Sequence, residues 1–292
     1  MVMGGNFSVT LVDGDPNLLN EVFELFKDLE NKWSRFKENS EVTKLNNAEG
    51  KTQLISSETV TLIRAMIRGN KITKGYFDPT TLPLLIDSGY LVSNKNPENK
   101  TVIPKSAKWP AEVSNIQIID NQVTMPIGTT IDAGGIGKGL AADLAIEFLS
   151  SKEVGGALVN ANGDVAATGQ APQGGPWIIG VENPLDETQE LDQVRISNGA
   201  IATSSRVHQT WEKEGKKVHH LVNPLTGSMA ITDVLSASVL CGSGADAEAL
   251  AKVPFILEQK AAIKFIEDAG AEVLIIDKDL VISQSKGWEK FK

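Results

Sequence analysis

The feature that most constrains the fold is an irregular succession of strand-like and helix-like segments. Residues 6–12 alternate in polarity as a strand does, whereas residues 15–36 carry apolar positions at helical spacing. The rest of the chain mixes hairpins and helices, and it lacks the regular strand–helix–strand units that build parallel sheets. The sequence therefore predicts an α+β fold with mixed or antiparallel sheets and flanking helices.

Periodicity and turn residues also predict the individual elements. Helices are expected over residues 57–70, 136–150, 246–257 and 260–268. Strands or hairpins are expected over residues 116–124, 157–169, 176–184, 193–205, 217–223, 234–244 and 272–277. Residues 39–51 are predicted to form a loop and residues 75–90 a structured turn, because the first is polar and the second contains two prolines and two glycines.

The length favours one domain with two coupled halves. The chain has 292 residues, and no linker forces a division, so the predicted domain covers residues 1–292. Residues 91–110 are the most polar stretch and are rich in Pro, Lys and Asn. We expect them to form an exposed insertion.

Charge and composition exclude several classes of partner. The net charge is −9, which argues against nucleic acid. Cys241 is the single cysteine, so an intrachain disulfide and a Cys-rich zinc site are excluded. No run of about 20 apolar residues predicts a membrane span. The first residues do not resemble a signal peptide, so a cytoplasmic location is expected, or export with a leader absent from this sequence.

The stretch IDAGGIGKGLAADLA at residues 131–145 places glycines and Lys138 between an apolar segment and a helix. It fits neither the Walker pattern nor G-x-G-x-x-G. Glycines admit close approach, and a helix start offers free N–H groups, so the stretch suits a phosphate-bearing ligand. A tight strand-to-helix turn with a solvated lysine fits the same residues.

Three further segments carry polar residues that could act on a ligand. Asp164 follows an Asn-Gly pair, which suits either ligand binding or a hairpin turn. His220 precedes a Pro-containing turn and could serve as a base, although an isolated histidine also fits a packed or surface role. Asp246 stands at the start of a helix, where it could cap the helix or bind a hard cation.

Together these segments resemble the ApbE family, the FAD:protein FMN transferases. The resemblance rests on Met3-Gly4, WSRFKENSEVTKLN, YFDPTTLPLL, IDAGGIGKGLAAD, the Gly-Asp turn, PWIIGVENP, ATSS, HHLVNPLTG and ADAEALAK, in the family's order and across almost the whole chain. It implies T-fold-like halves with FAD in the groove between them. It also implies transfer of FMN from FAD to a Thr or Ser hydroxyl of an acceptor flavoprotein, with Mg²⁺ bound and AMP released.

The resemblance also implies roles for individual residues. His220 is the candidate base or the residue that positions the acceptor hydroxyl, Asp246 is catalytic through the metal, and Gly137 contributes a carbonyl to the metal shell. The residues implied in FAD binding are Asp78, Asp132, Gly135, Lys138, Asp164, Thr203, Ser204, Asn223 and Thr226.

Two positions depart from the family pattern. Asn223 stands where the family often has Asp, which removes one charge near the phosphates. Leu250 stands where the family has a Thr that ligates Mg²⁺, so the metal would be weaker, displaced or absent, and Lys252 could offset the phosphate charge instead. Two alternatives therefore stay open: an FAD pyrophosphatase that forms FMN and AMP, and an FAD-binding protein with a degenerate metal site.

Overall fold

A computed structural model describes residues 3–93, 98–207, 210–213 and 215–292. Within these ranges the helices are α1 (Asn17–Trp33), α2 (Glu41–Asn46), α3 (Ser57–Ile72), α4 (Leu82–Asp87), α5 (Gly137–Ser150), α6 (Gly244–Leu250) and α7 (Gln259–Asp268). The strands are β1 (Phe7–Val12), β2 (Gln53–Leu54), β3 (Gln117–Ile119), β4 (Gln122–Thr124), β5 (Gly156–Ala161), β6 (Asp164–Gly169), β7 (Trp177–Asn183), β8 (Asp186–Ile196), β9 (Gly199–Ser205), β10 (Thr210–Lys213), β11 (Lys216–His219), β12 (Val222–Asn223), β13 (Ser228–Met229), β14 (Val234–Cys241), β15 (Glu272–Asp277) and β16 (Ile282–Gln284).

A seven-stranded sheet organises the molecule, in the order β1-β5-β6-β9-β14-β15-β16. Each of its pairings is antiparallel, and the strand β1 from the start of the chain pairs with β5 in its middle. Flanking helices and smaller antiparallel pairs complete the chain. The predicted α+β class with antiparallel sheets is thus confirmed.

Both faces of the sheet are buried over its central strands, and alternate residues of these strands belong to different cores. On β15, Val273 and Ile275 pack with the helices, whereas Leu274 and Ile276 point to the other face. The hairpin of β7 and β8 covers that second face together with Trp288. Two-sided burial explains why β14 has almost no exposed position along its eight residues.

The long helices form where the apolar spacing predicts them. On α1, the five buried residues recur every three or four positions and face the sheet-side core. Helix α3 begins at Ser57 as predicted, after Ser56 accepts a hydrogen bond from the Thr59 N–H as an N-cap. The predicted hairpin around Asp120-Asn121 is present as β3 and β4.

Several predicted elements need correction. The predicted loop at residues 39–51 contains α2, which Ser40 caps, and the predicted turn at 75–90 contains α4, with Pro83 in its first turn. The predicted helix 246–257 is shorter, because α6 ends at Leu250 and a 3-10 turn follows at Val253–Phe255, where Pro254 cannot continue an α-helix.

Two predicted strand regions also differ. Residues 193–205 are not one strand but the end of β8 and all of β9, which a reversal before Gly199 separates. The predicted region 217–223 is divided between β11, which forms a hairpin with β10, and β12; Glu214 in that hairpin lies outside the described residues.

The single domain with two coupled halves and the insertion at 91–110 stay predictions. Residues 94–97 of that insertion lie outside the described part of the chain. Most of its other residues are exposed or half-buried, but Thr101 is buried and bonds to Arg35. None of the described helices is long and apolar enough to cross a membrane.

Candidate functional site

A cavity of about 340 Å³ opens beside the glycine stretch, within the range of small-molecule sites. The site residues predicted from the sequence that line it are Asp78, Asp132, Gly135, Gly137, Lys138 and His220. The others lie outside its wall, namely Asp164, Thr203, Ser204, Asn223, Thr226 and Asp246. The fold therefore brings together three of the predicted segments, which are far apart in the sequence.

The glycine stretch forms a 3-10 turn at Ala133–Gly135 and then the start of α5. Gly139 lies where α5 meets α6, because a Cβ at this position would stand 2.2 Å from the Gly244 carbonyl oxygen. Gly135 lies at the cavity, where a Cβ would stand 3.0 Å from the Phe77 ring. The stretch thus serves helix packing and cavity shape together.

Four charged groups form a buried cluster under the start of α5. The Lys138 ammonium pairs with Asp164 and lies 3.6 Å from Glu248 Oε1. Glu248 Oε2 accepts a hydrogen bond of 2.8 Å from the Gly139 N–H, so this carboxylate occupies part of the anion-binding start of the helix. Lys252 lies 3.8 Å from Glu248 Oε1 and, with Lys138, lines the cavity.

The surroundings in the cluster shift the pKa values of its two lysines in opposite directions. Burial opposes the charged form of Lys138, yet the attraction of Asp164 and Glu248 raises its pKa above the ordinary value. Burial lowers the pKa of Lys252, although Glu248 and Asp164 act in the other direction. The pKa of Lys138 is therefore shifted in favour of the charged form, and Asp164 is its paired carboxylate.

Arg35 and Asp132 form a second charged pair in the cavity wall. The Arg35 guanidinium lies over the rings of Phe36 and Tyr90, at 4.1 Å and 4.7 Å from their centroids. Its Nε is 3.3 Å from Asp132 Oδ2, and Asp132 Oδ1 accepts a hydrogen bond from the Gly134 N–H. The aromatic rings thus hold the arginine that fixes the start of the glycine stretch.

Asp78 is held in its own turn. Its Oδ1 accepts hydrogen bonds from the backbone and the hydroxyl of Thr80, at 2.8 Å and 2.7 Å. Burial raises the pKa of Asp78 against these bonds. Its backbone carbonyl accepts a further bond from the Thr81 hydroxyl, which completes the turn.

The two adjacent histidines have different surroundings. His219 Nδ1 accepts a hydrogen bond of 3.2 Å from the Leu221 N–H, and its Nε2 lies 3.2 Å from the Ala230 carbonyl oxygen. This geometry fits the neutral tautomer with the proton on Nε2, and burial lowers the pKa of His219. His219 thus anchors the segment, while half-buried His220 lines the cavity together with Pro224.

The predicted residues outside the cavity wall form hydrogen bonds within the turns and strands that carry the wall. Asn223 Oδ1 accepts a hydrogen bond from the Leu225 N–H in the turn after β12, and Thr226 bonds to Ser228 in the same turn. On β9, the Thr203 N–H donates to Asp164, while the neighbouring Ser204 is buried.

Asp246 does not stand in the position of an open metal ligand. Ser243 is the N-cap of α6, and Asp246 lies in the first turn with both carboxylate oxygens paired to Arg68 at 2.6–2.9 Å. Leu250 is 1 % exposed and packs in the apolar core under β14. Nowhere in the described ranges do three His, Cys, Asp or Glu side chains group to hold a metal ion. These residues do not fit the Mg²⁺ site that the resemblance implies.

The fold and the cavity define an α+β ligand-binding protein with cations beside a glycine-rich helix start. The model of the ApbE family matches residues 3–275, and the chain belongs to this family. A Vibrio cholerae relative named FAD:protein FMN transferase is 26 % identical over 270 residues, which cover 89 % of this chain and 79 % of the relative. A Haemophilus influenzae protein of the same name is 26 % identical over 284 residues, 92 % of this chain and 82 % of that protein.

Solved structures show the same architecture. The crystal structure of the ApbE protein of Thermotoga maritima superposes with a TM-score of 0.86 at 28 % identity, over 100 % of this chain and 97 % of that one. The flavin transferase ApbE of Vibrio cholerae gives a TM-score of 0.79 at 22 % identity, over 100 % and 97 % of the two chains. The second comparison supports the fold alone.

Sequence reasoning missed part of the cavity wall. It did not single out Arg35 and Tyr90, and it gave Lys252 only a secondary role. A signal for Arg35 is present in the segment WSRFK, where a cation stands between aromatic residues. No such local signal marks Tyr90, which reaches the site only through tertiary packing.

Proposed function

We propose that this protein is a flavin transferase, which moves FMN from FAD to a Thr or Ser hydroxyl of an acceptor flavoprotein. The proposal is supported by the family and by the relatives named FAD:protein FMN transferase. The observation that carries it is that His220 and the start of α5 line one cavity. Attack of a hydroxyl on a phosphate group requires a base that takes the hydroxyl proton and cationic groups that stabilise the phosphate charge.

The reaction assigns a role to each side of the cavity. The acceptor hydroxyl oxygen attacks the phosphorus atom of the FMN half, the bond to the bridging oxygen breaks, and AMP leaves with that oxygen. His220 takes the hydroxyl proton as the general base. Lys138 and the N–H groups at the start of α5 lie on the side where the phosphate charge is held.

Magnesium is left out of this proposal. The resemblance implies Mg²⁺ at Asp246 and Gly137, but Arg68 engages both oxygens of Asp246, and Leu250 offers no ligand atom. The phosphate charge must therefore be met by the protein's own cations.

The first experiment is mass spectrometry of a peptide with a Thr or Ser acceptor site after incubation with the protein and FAD. The expected result is the gain of one FMN and the release of AMP. The variant His220→Ala should abolish transfer and keep FAD affinity, because His220 lies in the wall as a base rather than as a cation. Unchanged transfer by this variant would remove His220 from the mechanism.

One observation favours a second function, an FAD-binding protein without transfer. The Arg68 pairing and Leu250 together leave the expected metal site unformed. In that case the same incubation would return intact FAD and unmodified peptide. Cleavage to free FMN and AMP without peptide modification would instead indicate an FAD pyrophosphatase.

A further inference from the structure

Lys252 occupies a place in the cavity that the architecture makes for it. It follows the end of α6 and reaches back across the glycine stretch, where a Cβ on Gly135 would stand 3.6 Å from Lys252 Cε. Its side chain is 16 % exposed and lines the cavity. An ordinary surface lysine would have neither this burial nor this position.

The Lys252 ammonium keeps capacity to bind an anion. Among the described residues it donates one hydrogen bond, of 2.7 Å, to the Glu248 carbonyl oxygen. An ammonium group has three donors; one is used by this bond and a second lies 3.8 Å from Glu248 Oε1, so at least one remains for a ligand in the cavity. Capping the last turn of α6 explains the bond to the Glu248 carbonyl but not why the side chain lines the cavity.

Glu248 holds this cation in place. Its Oε1 is buried and has no hydrogen-bond partner in the described part of the chain, yet it lies 3.6 Å from the Lys138 ammonium and 3.8 Å from that of Lys252. Its Oε2 is fixed by the Gly139 N–H. The carboxylate thus keeps both ammonium groups close to the start of α5.

At the expected metal position, in contrast, the Asp246 carboxylate is already paired with another side chain of the protein. Arg68 makes a two-pronged pair with Asp246, and Leu250 belongs to the apolar core. A divalent cation at Asp246 would have to displace Arg68 and would gain nothing from Leu250.

We propose that the Lys252 ammonium, held by Glu248 at the glycine stretch, binds the phosphate groups of FAD in place of a divalent cation, so that this chain binds FAD without a metal. The inference rests on the proposed function for the identity of the ligand. It adds that a lysine of the chain itself meets the phosphate charge.

The test measures FAD affinity by flavin fluorescence at fixed ionic strength, with Mg²⁺ and with excess EDTA. We expect the unmodified protein to bind FAD equally in both buffers. The variant Lys252→Met should weaken FAD binding roughly ten- to a hundredfold, the size of a charge-assisted hydrogen bond. Binding of riboflavin, which has no phosphate, should be unchanged, and Lys252→Arg should keep most of the affinity for FAD.

The matched control is Lys264→Met. Lys264 also pairs with a carboxylate four residues away, Asp268, but it is 75 % exposed and lies outside the cavity wall. This variant should bind FAD as the unmodified protein does. An equal loss of affinity in the control would overturn the assignment to Lys252.

Two other results would overturn the inference alone, and a third would overturn the proposed function together with it. FAD binding that EDTA abolishes in the unmodified protein would show that a metal is needed, while the flavin function would stand. Unchanged FAD affinity in a folded Lys252→Met variant would remove Lys252 from the site. If the unmodified protein bound no FAD in either buffer, the proposed function would fail and the inference with it.

Discussion

At the scale of single residues, the glycine stretch shows how one motif meets several demands. Its residue types were recognisable from the sequence, but the partner of each was not. Gly139 faces Gly244, which is 105 positions away, and Glu248 reaches the Gly139 N–H. Local patterns predict that a turn or a site lies here, whereas only the tertiary fold decides which glycine faces a helix and which a cavity.

The contact between α5 and α6 gives a prediction for Gly139. The substitution Gly139→Ala places a methyl group 2.2 Å from the Gly244 carbonyl oxygen, so the two helices must separate. We expect the free energy of unfolding to fall by about 1–3 kcal/mol, despite the better helix propensity of Ala. Urea unfolding measures this loss.

The control for that experiment is Gly242→Ala. A Cβ at Gly242 meets no atom within 4 Å, so this variant should stay within about 0.5 kcal/mol of the parent. Equal stability of the two variants would show that α5 and α6 are not in the close contact described.

At the scale of elements, the sequence predicts best where a pattern is long. The bounds of α1 and of the β5–β6 hairpin follow the prediction within three residues. Six-residue helices such as α2 and α4 are missed, because a single turn and a half gives too few apolar repeats. The local signals for them are the N-cap Ser40 of α2 and Pro83 in the first turn of α4.

The segment that carries His220 yields a prediction about pH. The neutral form of His219 accepts a hydrogen bond from the Leu221 N–H, and a proton on Nδ1 would remove that bond. Since burial lowers the pKa of His219 in the folded protein, the unfolded chain takes up the proton first as the pH falls. The contribution of His219 is fully present above its ordinary pKa and is lost as the pH falls through the lowered one.

Urea unfolding of the parent and of His219→Gln at several pH values, from about 7.5 down to 5, measures this effect. The parent should lose more stability than the variant over this range, because the variant has no imidazole at position 219. Parallel pH profiles for the two proteins would contradict the neutral, bonded state of His219.

At the scale of the whole molecule, an acidic protein gathers four cationic side chains in one cavity wall, beside the carboxylates of Glu30, Asp78 and Asp132. The net charge is −9, yet Arg35, Lys37, Lys138 and Lys252 line one cavity. In an acidic protein an anionic ligand has to be held by local groups, and these four cations are able to do so. Composition could not show their origin, because they come from segments more than 200 positions apart in the sequence.

The second face of the sheet gives a prediction at this scale. Trp288 is fully buried between the sheet and β8, and its indole N–H donates a hydrogen bond of 2.9 Å to Asp192. The substitution Trp288→Ala should lower the free energy of unfolding by about 3–5 kcal/mol, through lost burial and a cavity. FAD affinity should be unchanged, since Trp288 does not line the cavity.

Phe291→Ala is the comparison for this variant. Phe291 is only half-buried against the same core, so its loss should be clearly smaller. Thermal unfolding of the two variants measures the two losses of stability. Similar losses would mean that the second face is not closed by Trp288 in particular.

The position of Trp288 has a consequence for how the protein is made. β1 is synthesised well before Trp288, the residue that closes the far face of its sheet. While the chain emerges from the ribosome, the apolar side of β9, β14 and β15 has only the β7–β8 hairpin to cover it. Nascent chains in that interval expose unpaired apolar strands, the condition in which aggregation competes with folding and chaperones act.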